Sequence, residues 1–269
     1  YYFKIIEGSK ESIVRNSKNK KEVYKKNSPI KALTIKELKR YFSSPVYMFN
    51  TIFGLLLVLV LTILLCIKGN SIIEMLLSNE ELNINISIPV IYYVLVLFSC
   101  LMTSITSSSV SLEGKTINIT KSLPISEKDI LKSKIIYPYI IELPFVIISE
   151  LIFFIVFKVN IIYILLIFSM SISSITLSSI LGLVINLKYP KMNASNDTEV
   201  VKQSMSSMVA VFINMGIIII SVIGIFALYD KLNIYLLLGV HVFIIILVTI
   251  VLYYILMNKG IKEYRSINV

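Results

Sequence analysis

The sequence predicts an all-α fold: a polytopic transmembrane bundle of six spans, with an N-terminal amphipathic interfacial helix and a cytoplasmic elbow between spans two and three. Three observations carry this prediction. Of 269 residues, 56% are hydrophobic and only 16% charged, with a mean hydropathy of +0.83. A soluble domain carries about a quarter charged residues, so the apolar excess needs lipid as its solvent. Six separate runs of about 20 apolar residues then match the length needed to cross a hydrocarbon core. Finally, Lys and Arg fall almost entirely in alternate connections, as expected of a chain threaded repeatedly through a bilayer.

Taken in order, residues 1–27 form a basic linker, rich in Lys, Ser and Asn from Ser9 to Asn27 and too polar to bury a core. Residues 28–44 are the interfacial helix. Ser28 offers an N-cap and Pro29 suits the first helical position, after which Ile30, Leu33, Leu38, Tyr41 and Phe42 recur near helical spacing between Lys31, Lys36, Lys39 and Arg40. Residues 45–258 hold the spans: Val46 to Ile67, Ile88 to Ser111, Ile135 to Phe157, Ile161 to Leu187, Ser206 to Leu228 and Ile234 to Met257. They lack the alternating pattern of barrel strands, so helices are expected. Residues 259–269 form a short tail.

Twelve of the 26 basic residues precede Val46, five lie between Leu112 and Lys134, three between Asn186 and Met205, and three in the tail. Only Lys68, Lys158 and Lys231 fall on the opposite side, beside Glu74, Glu80, Glu81 and Asp230. The positive-inside rule therefore places both termini and the two longer internal loops in the cytoplasm, in a multi-pass protein of the cell membrane. Topology accounts for the net charge of +10, with anionic lipid headgroups as the expected partner of the lysines and no nucleic acid. Cys66 and Cys100 sit within apolar runs and read as small buried hydrophobes.

The elbow reads LEGKTINITKSLPISEKDILKSK from Leu112 to Lys134. Pro124 breaks the chain, and Ser126 with Asp129 forms a box-like cap for a helix running into the third span. Gly114, Lys115 and Thr116 spell GKT, but Ser109 stands where a phosphate loop needs glycine, and an apolar helix precedes it rather than a strand, so no nucleotide site is expected here.

Ionisable groups at membrane depth are functional candidates by default. Glu142 and Glu150 lie on the third span, with Pro138 and Pro144 nearby, and His241 on the sixth. Glu150 and His241 each sit seven residues, about 10 Å, in from the outer end of their spans, a depth that permits a pair. Ser99, Thr103, Ser107 and Ser111 repeat at every fourth position of the second span, predicting one hydroxyl-bearing helical face for close packing, and Ser174, Ser178 and Gly182 repeat the pattern in the fourth. No nucleophile elbow, paired-His metal spacing or paired carboxylates at one depth suggests catalysis, and no metal site is expected.

The order of parts, from PIKALTIKELKRYFSSP through EGKTINITKSLPIS to KYPKMNASNDTEVVKQS, resembles the membrane subunit of an ATP-binding-cassette exporter of the ABC-2 type, specifically a bacterial permease group. That resemblance implies a non-catalytic permease subunit. A separate ATPase partner would bind and hydrolyse ATP, with no cofactor on this chain, and a second six-span half or copy would complete the pore. It assigns ATPase contact to Glu113, Gly114, Lys115, Lys121, Pro124, Ser126, Lys128, Asp129 and Lys132 of the elbow and to Lys36, Lys39 and Arg40 of the interfacial helix. The non-Met start and aromatic Tyr1 to Phe3 suggest the second half of a longer chain. Only Tyr229 to Asn233 separates the last two spans, which departs from relatives with a long excursion there. The alternative is half of an ion- or proton-coupled secondary transporter using Glu142, Glu150 and His241.

Overall fold

The computed structural model describes residues 28–77 and 87–267. The linker over 1–27, including Tyr1 to Phe3, together with Glu80 and Glu81, lies outside the described residues, as does the side chain of Glu74. The described residues form helices joined by short connections, with no strand among them. In chain order they form α1 (Pro29–Ser43), α2 (Pro45–Leu77), α3 (Ile88–Met102), two 3-10 turns (Ile105–Ser108 and Ser111–Thr116), α4 (Ile117–Ser122), α5 (Glu127–Phe157), α6 (Ile161–Lys188), α7 (Asp197–Gln203), α8 (Met205–Leu228), α9 (Ile234–Ile255), a π-helical turn (Leu256–Gly260) and α10 (Ile261–Ser266). Six of the helical stretches are long and apolar enough to cross a membrane.

Local chemistry sets the ends of these helices. Ser28 Oγ accepts from the Lys31 N–H at the start of α1, and Ser126 Oγ accepts from the Asp129 N–H at the start of α5. Asn160, Asn196, Ser204 and Asn233 do the same for α6, α7, α8 and α9. The buried stripe of α1 is Leu33, Glu37 and Tyr41 at successive fourth positions, with Thr34 beside it, whereas Phe42 is exposed. A carboxylate on the apolar side of an amphipathic helix requires a positive partner opposite it.

The fourth span, α6, is the hub of the bundle, packing against α3, α5, α8, α9 and the 105–108 turn. One apolar cluster joins Val96 and Leu97 of α3 to Phe153 of α5, Met170 of α6 and Leu238 of α9. A second, toward the lysine-rich end, joins Leu33 of α1 to Ile117, Leu131, Leu183 and Tyr264.

The second span departs from its expected form. A helix from Ile88 to Ser111 is predicted, but α3 stops at Met102 and the chain continues irregularly before the two 3-10 turns. Ser99, Thr103, Ser107 and Ser111 therefore do not share one helical face. The local cause is a run of hydroxyl residues, Thr103-Ser104-Ile105-Thr106-Ser107-Ser108-Ser109, whose side chains compete for backbone groups. Thr103 Oγ1 donates to Ser99 O at 2.9 Å and Ser107 Oγ to Ser104 O at 2.8 Å. The matching face of α6 is continuous and lies against the interruption. Ser178 Oγ donates to Thr103 O, and a Cβ on Gly182 would meet Thr106 Oγ1 at 2.5 Å and Ser104 Oγ at 2.7 Å.

That approach gives a direct test of the packing. We expect Gly182→Val to destabilise the protein by about 1–3 kcal/mol through overpacking. Gly216→Val, where nothing lies within 4 Å of an added Cβ, should leave the thermal unfolding midpoint in detergent nearly unchanged. Equal midpoints for the two variants would contradict the close approach.

Candidate functional site

At the interruption, backbone groups that a helix would have satisfied are met by side chains from other spans. Tyr47 of α2 donates its hydroxyl to Ile105 O at 2.5 Å and pairs with Tyr137 of α5 at 2.7 Å. Ser109 O accepts from the Lys134 ammonium of α5 at 3.2 Å. Asn186 of α6 accepts on Oδ1 from the N–H groups of Val110 and Ser111, at 2.7 and 3.1 Å. Its Nδ2 donates to Ser111 Oγ and to Ser206 Oγ at the start of α8. Non-helical backbone at membrane depth is tolerable only where protein supplies such partners. This segment has them from three spans, α2, α5 and α6.

Beside the interruption lies a network of five charged groups, of which Glu37, Glu113 and Lys134 are buried and Arg40 and Lys36 are partly exposed. Lys134 is fully buried, with its ammonium 2.6 Å from Glu113 Oε1 and 3.0 Å from Glu37 Oε1. Arg40 reaches Glu37 Oε2 at 3.0 Å and Glu113 Oε1 at 3.4 Å. Lys36 stands 3.9 Å from Glu113 Oε2 and donates to Thr120, whose hydroxyl in turn donates to Glu113 Oε2. Three cations face two carboxylates, a net charge of +1. Burial pushes the Lys36 ammonium below its ordinary value against the opposing pull of Glu113. For Arg40 burial acts in the same sense, but Glu37 and Glu113 outweigh it and hold the guanidinium above its ordinary value. The network ties α1, the 111–116 turn and α5 into one body.

The elbow residues singled out in the sequence divide accordingly. Lys36, Arg40 and Glu113 belong to the charged network. Gly114 adopts φ +48°, a left-handed conformation suited to glycine, with Met192 O 3.6 Å from where a Cβ would stand. Lys121 donates to the carbonyls of Arg265 and Ile267 and sits 5.4 Å from the Tyr264 ring centroid, while Glu127 pairs with Arg265 at 2.7 Å. The chain's own C-terminal helix α10 thus covers part of the elbow. Ser126 and Asp129 cap α5, and Lys39, Lys115, Pro124 and Lys128 are exposed, with Lys132 partly so.

Deeper in the bundle, Glu142 and Glu150 are both buried on α5. Glu142 lies within electrostatic reach of Tyr41, Cys100 and Tyr139, and Glu150 within reach of Tyr92 and Cys100. Ser171 of α6, whose hydroxyl donates to Phe168 O at 2.9 Å, lies near Glu150. Glu142 Oε2 and Glu150 Oε1 have no hydrogen-bond partner, and no Lys, Arg or His pairs with either carboxylate among the described residues. Pro144 between them deprives the Ile140 carbonyl of its helical donor. Around them, the Tyr92 hydroxyl pairs with Ser149 at 2.7 Å, and Tyr139 bonds Thr176.

The pairing of Glu150 with His241 that equal depth allows does not form. His241 Nδ1 bonds the Tyr93 hydroxyl at 2.7 Å, and its ring lines an apolar cleft with Leu177, Ile217, Ile225 and Leu237. Tyr92 and Tyr93 are consecutive on α3 and diverge, Tyr92 bonding Ser149 next to Glu150 while Tyr93 bonds His241, so depth matches while azimuth does not.

Sequence reading missed Glu37, Lys134, Asn186 and Asn214. Glu37 carried a signal, since it stands midway between Leu33 and Tyr41 on the apolar stripe. Asn186 and Asn214, polar residues within apolar runs, carried another. Lys134 carried none, because its partner Glu37 is 97 residues away.

A bundle of six long apolar helices, with irregular backbone buried among them, defines a polytopic α-helical membrane protein. The chain belongs to a family described as membrane proteins of 12 TMs, whose profile matches residues 2–254. That assignment overturns the resemblance to an ABC-2 permease. The wording that carried the resemblance has an internal explanation, since Glu113 answers Lys134 and Gly114 fits a left-handed turn. Comparison with curated proteins and with solved structures returns no match.

Removing Lys134 would leave Glu113 and Glu37 buried with less compensation. We expect Lys134→Met to cost about 3–5 kcal/mol, and the Lys134→Met, Glu113→Gln double variant to recover part of that loss. Thermal unfolding of the single and double variants in detergent checks both, and strictly additive losses would contradict direct coupling.

Proposed function

We propose that this chain is one six-span half of a membrane transporter, translocating a solute rather than transforming it, with protons carried on Glu142 and Glu150 as the coupling ion. The observation that carries the reading is the pair of buried α5 carboxyl groups with no cationic partner among the described residues. A carboxylate at membrane depth without a counter-charge is strongly disfavoured, so each group holds a proton until water or another acceptor reaches it. Groups that must exchange protons with their surroundings in order to ionise are suited to coupling. Two structural features support the assignment. Cys100 lies within electrostatic reach of both carboxyls, placing them along one seam between α3 and α5. The interruption of α3 just beyond Cys100 matches the discontinuous helices that build transporter sites.

In this reading the lysine-rich end is cytoplasmic, the membrane is the cell membrane, and the family's twelve spans are completed by a further six. Energy enters from an ion gradient and not from a nucleotide. His241 stands apart from the carboxyl seam and takes no part in coupling.

The test uses the full-length protein in vesicles with a trapped pH indicator, an imposed solute gradient and no nucleotide, screening pools of small solutes for proton movement. We expect solute-dependent proton flux that Glu142→Gln and Glu150→Gln each abolish. We also expect labelling of both carboxyls by a hydrophobic carbodiimide, faster in acid. Flux that survives in both variants, or carboxyls inert to the carbodiimide at every pH, would overturn the assignment.

A further inference from the structure

We propose that the interruption of the second span binds one dehydrated sodium ion through uncharged oxygen atoms. This site adjoins the carboxyl seam at Cys100 but takes no carboxylate as a ligand, and it does not depend on the proton reading. The first observation is backbone geometry. The Ser104 N–H turns to the Met102 carbonyl at 3.1 Å, so the carbonyl of Cys100 loses the helical donor that would have come from residue 104. This carbonyl lies in the last turn of α3, where the helix dipole concentrates partial negative charge.

The second observation is a set of buried polar side chains without partners on the elements that surround the interruption. Ser104 Oγ, Ser179 Oγ and both amide atoms of Asn214 have none among the described residues, and Asn214 is 0% exposed. An Asn amide buried without hydrogen bonds costs several times what a satisfied one contributes, and in a native structure it points to a bound ion or water.

Placement brings these groups to one region. Thr106 Oγ1 donates to Ser179 O at 2.7 Å, which sets Ser179 of α6 against the 105–108 turn. Ser104 Oγ borders the vacant Cβ position of Gly182, one turn further along α6. Asn214 lies on α8 between Ala210, packed against Leu181 and Ile185, and Ile218 of the main core. That stripe faces α6, and α8 also packs on the 105–108 turn.

The chemistry of the set selects the ligand. Hydroxyl, amide and carbonyl oxygens are hard donors that suit alkali and alkaline-earth cations. None of the four donor groups is charged, so a divalent ion would be poorly neutralised and a monovalent ion is favoured. Close packing at Gly182, where an added Cβ would clash at 2.5 Å, excludes an organic solute and favours a small ion. Unwound backbone beside a half-helix C-terminus is the arrangement by which membrane proteins bind sodium after stripping its water.

The test measures thermal unfolding of the full-length protein in detergent at constant ionic strength, exchanging choline chloride for sodium chloride. We expect a saturable rise of about 5 °C at a hundredfold excess over Kd in the wild type. Asn214→Leu and Ser104→Ala should lose that rise, and radioactive sodium binding should fall with it. Ser179→Ala serves if Asn214→Leu does not fold. Glu142→Gln should keep the rise, so failure of the proton reading and failure of this one are distinguishable. Identical midpoints in choline and sodium, which would mean that water alone fills the region, overturn the proposal. So would a sodium response retained in both Asn214→Leu and Ser104→Ala.

Discussion

The constraint on which this structure turns is that a bilayer offers no hydrogen bonds to a polypeptide backbone. Five of the six spans meet it by remaining helical across the hydrocarbon region. The second span does not, and the rest of the bundle is arranged to compensate. Tyr47 from α2, Lys134 from α5, and Ser178 and Asn186 from α6 each bond backbone of the segment between Thr103 and Ser111. The central place of α6 follows from this role, since it supplies Ser178, Asn186 and the glycine that lets the irregular chain lie close.

The charged network extends the same logic toward the lysine-rich end. A buried ammonium contributes little net stability by itself, because its desolvation cost offsets most of the attraction. Its specificity is greater, since Lys134 at its position requires both Glu37 and Glu113 in theirs. Because Lys134 also bonds Ser109 O, the network fixes α1 to the end of the interrupted segment. A displacement of α1 would therefore be felt at the interruption through two contacts, Glu37 to Lys134 and Lys134 to Ser109 O.

Much of this architecture was legible in the sequence, and what escaped shares a physical cause. Six spans could be read because length and hydropathy are one-dimensional properties. The Ser28 and Ser126 caps could be read because their partners are three residues away. The interruption could not, since Thr103 to Ser109 contains neither proline nor glycine, and hydroxyl side chains often remain within helices by bonding their own backbone. Whether they break a helix depends on partners elsewhere, such as Asn186, which is 75 or 76 residues from the groups it satisfies near the turn. Equal depth suggested that Glu150 and His241 meet, but a helical span fixes depth through residue count and azimuth only through packing. Resemblance misled for a related reason: short matching phrases around Glu113 and Gly114 reflect demands of charge burial and backbone turn that unrelated membrane proteins can share.

Two polar regions thus occupy one bundle with different chemistry, and the difference says which part is suited to move. The carboxyl seam lies between α3 and α5, which stay helical around it although Pro138 and Pro144 each remove one bond from α5, so rearranging them would cost many cooperative bonds. The interrupted segment is held instead by individual side-chain bonds, each worth about 1 kcal/mol net and replaceable by water. Water entering there would reach Cys100, the residue within electrostatic reach of both Glu142 and Glu150. Hydration of the interruption would therefore lower the cost of ionising the seam while leaving the helices in place. Under the proposed proton coupling, a plug of individually replaceable bonds beside the two carboxyl groups would let water reach them without a large rearrangement of the bundle.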